Sequence, residues 1–175
     1  NIALDTEGNI YVSGAFRGTL SFLIDGDITD FESTSFTTDV FLAKFDSDGN
    51  TLWAAAFGGG GTDNVNGMEV RGEQIFLTGE FTSTIDLDAS AASDMHTSAG
   101  FTDIFLTAYS TEGDFIWGHA FGSNSSEFSH DLAVGPEGQV YITGNFWNTV
   151  NFNTTGGATE VTSNAQSDIF LAAFA

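Results

Sequence analysis

Cysteine is absent from this 175-residue chain, which excludes a disulfide framework, a thiolate metal site and a cysteine nucleophile. A chain of this kind is held by core packing or by bound ions. Proline occurs once, at Pro136 in VGPEGQ, a turn where a fixed φ is useful. Basic residues are nearly as scarce. Arg17, Lys44 and Arg71 stand against 24 acidic residues, for a net charge of −21. This balance leaves no basic patch to neutralise phosphates, so nucleic acid and anionic lipid are excluded as partners. No run is apolar for long enough to insert in a membrane, and no basic stretch followed by an apolar one resembles a signal peptide. Sustained helical periodicity is also missing, and β-branched residues dominate the regular segments. Disorder is excluded in turn by the 18 Phe residues, which supply burial that disordered chains lack.

The chain is instead organised by a repeat of about 65 residues. NIYVSGAF at 9–16 returns as QIFLTGEF at 74–81 and QVYITGNF at 139–146, so that Gly14, Gly79 and Gly144 keep step. TDVFLAKF at 38–45 returns as TDIFLTAY at 102–109 and SDIFLAAF at 167–174. GNTLWAAAFG at 49–58 returns once, as GDFIWGHAFG at 113–122, and aligns Trp53 with Trp117. A fixed period of this length marks an array in which each unit buries its apolar face against its neighbours.

The complete second unit reads as four strands. NGMEVR at 66–71 and QIFLTGEF at 74–81 are separated by hairpin spacing. TDIFLTAY places Ile104, Leu106 and Ala108 on one face and Phe105, Thr107 and Tyr109 on the other. The turn STEGD then leads to FIWGHAFG. Apolar residues on both faces predict a sheet covered on both sides, and four-stranded antiparallel sheets stacked on copies of themselves are β-propeller blades. The expected architecture is all-β, with blades at 1–58, 66–122 and 131–175 and the third lacking its fourth strand. First strands are expected at about 1–5, 66–71 and 131–135, and third strands at 39–46, 103–110 and 168–175. Propellers close with about four to eight blades, so the chain reads as an internal piece, completed by the rest of a longer polypeptide or by other chains. Between second and third strands lie polar inserts (17–38, 82–102, 147–167), each with a small apolar pattern (LSF, IDL, VNF) before it varies freely. Variable inserts on one face of an array are where a binding surface is expected.

The run G-N-I-Y-V-S-G-x-F, followed by D-V-F-L-A-K-F-D-x-D-G-N-x-L-W and F-G-G, resembles the SBBP-type β-propeller repeats of secreted bacterial proteins. The resemblance covers essentially the whole chain and is absent from the inserts. It implies a propeller scaffold of a secreted or cell-surface bacterial protein, often a type IX secretion substrate, with no assigned chemistry.

Several residues invite a functional reading beside a structural one. Asp39, Asp103 and Asp168 open each third strand, where a carboxylate can accept backbone N–H groups; a ring of carboxylates binding a cation is the alternative. Asp46, Asp48 and Asn50 have the alternating spacing of calcium ligands, although Phe57 stands where an EF-hand loop needs Glu, and a tight hairpin turn has the same sequence. DSDGNTLW also resembles the Asp-box of sialidase-type propellers, which implies a structural turn. A sialidase-like active site needs an arginine cluster, whereas Arg17 and Arg71 occupy non-equivalent positions. His96, His119 and His130 show no zinc spacing. Trp53 and Trp117 read as packing residues. Trp147 opens an insert, where an aromatic can stack on a sugar or a partner. The sequence thus points to a non-enzymatic secreted or surface scaffold that binds protein or glycan and needs no cofactor. Two alternatives stay open: a fragment of a glycan-acting propeller enzyme, and a calcium-stabilised structural surface protein.

Overall fold

The computed structural model describes residues 1–154, 157 and 159–174. The last residue of the third expected strand in unit three, position 175, lies outside them, as do positions 155, 156 and 158 of the third insert. The protein is all-β, with a short 3-10 turn at Thr34–Phe36 and, among the described residues, no α-helix. Among the described residues no helix is long and apolar enough to cross a membrane.

Each unit is an antiparallel meander. In the first, β1 (Ile2–Leu4), β2 (Ile10–Phe16), β5 (Asp39–Phe45) and β6 (Thr51–Gly59) pair in that order, with β3 (Thr19–Ile24) and β4 (Asp27–Glu32) forming a hairpin on the outer edge. In the second, β7 (Asp63–Arg71), β8 (Gln74–Phe81), β11 (Asp103–Ser110) and β12 (Phe115–Phe121) form a four-stranded sheet. In the third, β13 (Phe128–Val134), β14 (Val140–Asn151) and β15 (Glu160–Phe174) form three strands. Such sheets are consistent with propeller blades.

The alternating pattern of TDIFLTAY sets the core. Ile104, Leu106 and Ala108 face the third sheet and pack with Phe121, Leu132, Val134 and Ile142. Phe105 and Tyr109 face the first sheet and pack with Val40, Leu42 and Phe57. Both faces of the second sheet are therefore buried, and each fully buried side chain of this size stabilises the fold by about 1.5–3 kcal/mol.

Two expectations are corrected. The inner strands of units two and three begin three residues earlier than the alternation suggests, at Asp63 and Phe128. A β-bulge at Asn66 in one and at His130 in the other shifts the register against the second strand, and a bulge breaks the period-2 pattern that reveals a strand. The inserts, moreover, do not vary freely. Gly18, Ser83 and Asn148, at matching repeat positions, all have positive φ (78°, 62° and 58°). Each turns the chain into a hairpin: β3 with β4, β9 (Thr84–Asp86) with β10 (Met95–Thr97), and the end of β14 with the start of β15. The small apolar patterns drive these hairpins inward. Ile85, Leu87 and Val150 are fully buried and Phe152 nearly so, while Leu20 and Phe22 are half-buried.

Candidate functional site

The start of each inner strand and the end of each second strand lie at one end of the sheets. There, between the second and third units, a cavity of about 680 Å³ opens among Asn66, Glu80, His130, Asn145 and Trp147. The bulges place two of these groups. Asn66 and His130 are the extra residues of β7 and β13, at matching positions, and bulges re-aim side chains. Asn66 donates through Nδ2 to Glu80 Oε2 and, at 2.8 Å, to the Ser129 carbonyl, which bridges the two sheets. Burial pushes the Glu80 carboxyl up, against the lowering influence of hydrogen bonds from Asn66 and Asn64 and of the nearby His130. Trp147 is half-buried, its edge against Phe128 at 6.0 Å between ring centroids. Asn148, in the left-handed region, donates to Asn124 Oδ1 at 2.7 Å and fixes the bend that follows the ring. The site offers amide, carboxylate and imidazole groups beside one aromatic edge. That set suits hydrogen bonding to a polar ligand.

The other sequence-derived candidates lie elsewhere. Asp39, Asp103 and Asp168 each accept a backbone N–H from four or five residues upstream, from Thr34, Ala99 and Asn164 at 2.9, 2.9 and 2.7 Å. Asp39 and Asp103 open their strands as expected, whereas Asp168 lies inside β15, which the insert hairpin extends back to Glu160. Glycine at the end of the outer strand makes room for the first two. A Cβ on Gly58 would lie 2.5 Å from Cγ of Asp39, and one on Gly122 would lie 2.0 Å from Cγ of Asp103.

Asp46, Asp48 and Asn50 form a turn in which Asp46 Oδ1 accepts the N–H groups of Asp48 and Asn50 at 2.9 and 2.8 Å. Its Oδ2 accepts Asn50 Nδ2 at 2.8 Å. These bonds, the Asn50 side chain first among them, hold the Asp46 carboxyl below the usual range. Asp5 makes the same clasp with Glu7 and Asn9. Among the described residues no group of three or more His, Asp or Glu is placed to hold a metal ion.

Trp53 donates through Nε1 to the Thr111 carbonyl of the next unit at 3.1 Å, where Lys44 Nζ also donates to it at 3.1 Å. Trp117 lines a separate cavity of about 440 Å³ with Gln74, His119 and Phe174. Gly14, Gly79 and Gly144 sit directly across from Phe41, Phe105 and Phe170, whose rings lie over them. Of the residues lining the cavity between the second and third units, the sequence singles out Trp147 for binding and His130 only as a histidine without zinc spacing. Glu80 and Asn145 carry a readable signal all the same: they follow an in-register Gly, at the one position of that motif where the copies read Ala15, Glu80 and Asn145.

No family model matches the chain. It is similar to an uncharacterized WD repeat-containing protein of Acanthamoeba polyphaga mimivirus, 25% identical over 99% of this chain and 14% of that protein. It is also similar to the regulatory protein FlaEY of Caulobacter vibrioides, 27% identical over 79% of this chain and 14% of that protein. The chain thus spans about one-seventh of the length of these curated relatives.

Proposed function

We propose that this chain is a run of consecutive β-propeller blades in a non-enzymatic scaffold, with a protein or glycan ligand held at the cavity between its second and third units. The blade reading is supported by four-stranded antiparallel meanders stacked face to face and by the mimivirus relative, since WD repeats build propeller blades. Blades at 1–58, 66–122 and 131–175 place a repeat boundary at each inter-sheet junction. The outer faces of the first and third blades are then covered by further blades, from a longer polypeptide or from other chains. A net charge of −21 fits a secreted or surface-exposed bacterial protein working in salt water.

The convergence of Glu80, His130, Asn145 and Trp147 on one cavity carries the binding reading. The in-register residues hold strands and sheets together. These four stand where the copies differ, and Trp147 has Arg17 and Thr82 as its counterparts. An aromatic edge with amide and carboxylate groups beside it matches the hydroxyls of a sugar or the backbone of a peptide. The test is a screen of the protein against glycan and peptide libraries, repeated with Trp147→Ala and Asn145→Ala. Each substitution is expected to weaken binding of a captured ligand by about tenfold, roughly 1.4 kcal/mol, with the protein still folded. Wild-type affinity in both variants would remove this cavity from the function.

A further inference from the structure

The junction between the first and second units contains buried charge without a partner. Asp63 opens β7 and is fully buried; Asp39 opens β5 and is 5% exposed. The Asp63 N–H donates to the Thr38 carbonyl at 2.9 Å, which brings the two strand starts together. Asp63 Oδ2 accepts the Gly59 N–H at 2.8 Å, and Asp39 Oδ2 accepts Thr34. The second oxygen of each, Oδ1, is buried and unbonded. Asp39 Oδ1 is directed to the bare Cα of Gly58, 2.8 Å from where a Cβ would stand.

Buried polar groups in folded proteins are satisfied almost without exception, and an unpaired buried charge is among the costliest arrangements. Two carboxylates side by side add repulsion to desolvation. No cation of the chain reaches them: among the described residues, the salt-bridged lysine is Lys44, which pairs with Glu112. A cavity of about 270 Å³ adjoins Asp39 and Gly58, lined also by Glu32, Asp86 and Asp88. It supplies a negative field and space for water on the Asp39 side of the junction, and Asp63 lies behind it, outside its lining.

The second junction satisfies one member of its pair by another route. Its Asp103 likewise has a buried, unbonded Oδ1, but its neighbour is the longer Glu127. Glu127 accepts Ser123 N–H at 2.7 Å and Ser123 Oγ–H at 2.6 Å, so both of its oxygens are satisfied. Asp63 is one methylene shorter and has no such hydroxyl.

We propose that the first junction binds a hard divalent cation of the calcium class between Asp39 and Asp63, with water completing its oxygen coordination. An all-oxygen donor set excludes the soft metals. Calcium tolerates irregular oxygen coordination completed by a few waters, whereas magnesium demands an octahedron and dehydrates reluctantly. The ion ties the third strand of one unit to the inner strand of the next, so it staples two units rather than serving a reaction.

The test uses the protein after chelator treatment, at pH 8.5. Calorimetric titration with calcium chloride is expected to give a single saturable site, and saturating calcium to raise Tm by roughly 5 °C. Asp63→Asn and Asp39→Asn are each expected to abolish that site and its Tm rise. In chelator they should melt no lower than the parent, because the repulsion is gone. Asp46→Asn, in the exposed turn, should keep the site. A calcium response that survives both junction substitutions overturns the proposal. So does a Tm indifferent to calcium that falls as pH rises, which assigns the unpaired oxygens to a shared proton. Should one junction variant fail to fold, the other decides the same question.

Discussion

At the scale of single residues, the repeated glycines and acids answer to different forces. Gly79 is invariant across the copies because the Phe105 ring lies over it: a Cβ there would stand 2.6 Å from Cε1 of that ring and 1.9 Å from the Asn64 carbonyl oxygen. Gly79→Ala is expected to cost about 1–3 kcal/mol through overpacking, read as a lower midpoint in denaturant. Gly8→Ala, with open space around it, tests only the strain of its φ of 88°. The sequence reveals these glycines by their register, but their reason is a ring on the facing strand, which no linear pattern displays. Asp63 was readable and missed. Asp63 and Glu127 each stand six residues after the closing Phe of the preceding unit, Phe57 and Phe121, yet they differ in type and follow loops that align poorly. Burial, with Asp39 nearby, pushes the Asp63 carboxyl up to about 7 from its ordinary 3.8. The folded chain therefore holds this proton where the unfolded chain has released it. Its stabilising effect is full below about pH 4 and is lost as pH rises through 7, at up to about 1.4 kcal/mol per unit. In chelator, Tm is expected to fall between pH 5 and 8, and Asp63→Asn to flatten that slope.

At the scale of elements, the strands with clean alternation were legible to within a residue or two, as β8, β11 and β12 are. The inserts were not, because their strands are as short as three residues and the shortest carry only one apolar side chain apiece. Their contribution comes from tertiary contact. Ile85 and Leu87 close the core between the first two sheets, and the Leu87 carbonyl accepts the hydroxyl of the buried Tyr109. β9 also pairs with the end of β6, Gly58 with Asp86 and Gly59 with Ile85, so the insert of one unit extends the outer strand of the unit before it. The insert is thus a cross-unit brace as well as a surface. Leu87→Ala is expected to cost about 2–5 kcal/mol, the range for a buried leucine that leaves a cavity, measured by thermal melting. A loss below 0.5 kcal/mol would mean that the insert only lies on the surface.

At the scale of the whole molecule, the repeat makes its two outer faces complementary. Ile104 and Leu106 are fully buried against the third sheet, while their counterparts Ile169 and Leu171 are 87% and 75% exposed. Leu132 and Val134 pack into that same internal interface at 7% and 8% exposure, while their counterparts Ile2 and Leu4 are 68% and 63% exposed. The face with Ile169 and Leu171 is therefore the partner of the face with Ile2 and Leu4, by the geometry already used between sheets two and three. Association through such faces is heterologous, head to tail, and does not close at two copies unless the rotation permits. Copies of this 175-residue chain are expected to associate in a concentration-dependent way. Ile169→Asp with Leu171→Asp disables one face, and Ile2→Asp with Leu4→Asp disables the other. Each double variant alone should sediment as a monomer, since its remaining face meets only copies of itself. An equimolar mixture of the two has one intact face of each kind and should form a dimer that grows no further. If instead one double variant dimerises alone, a face is self-complementary and the head-to-tail reading fails.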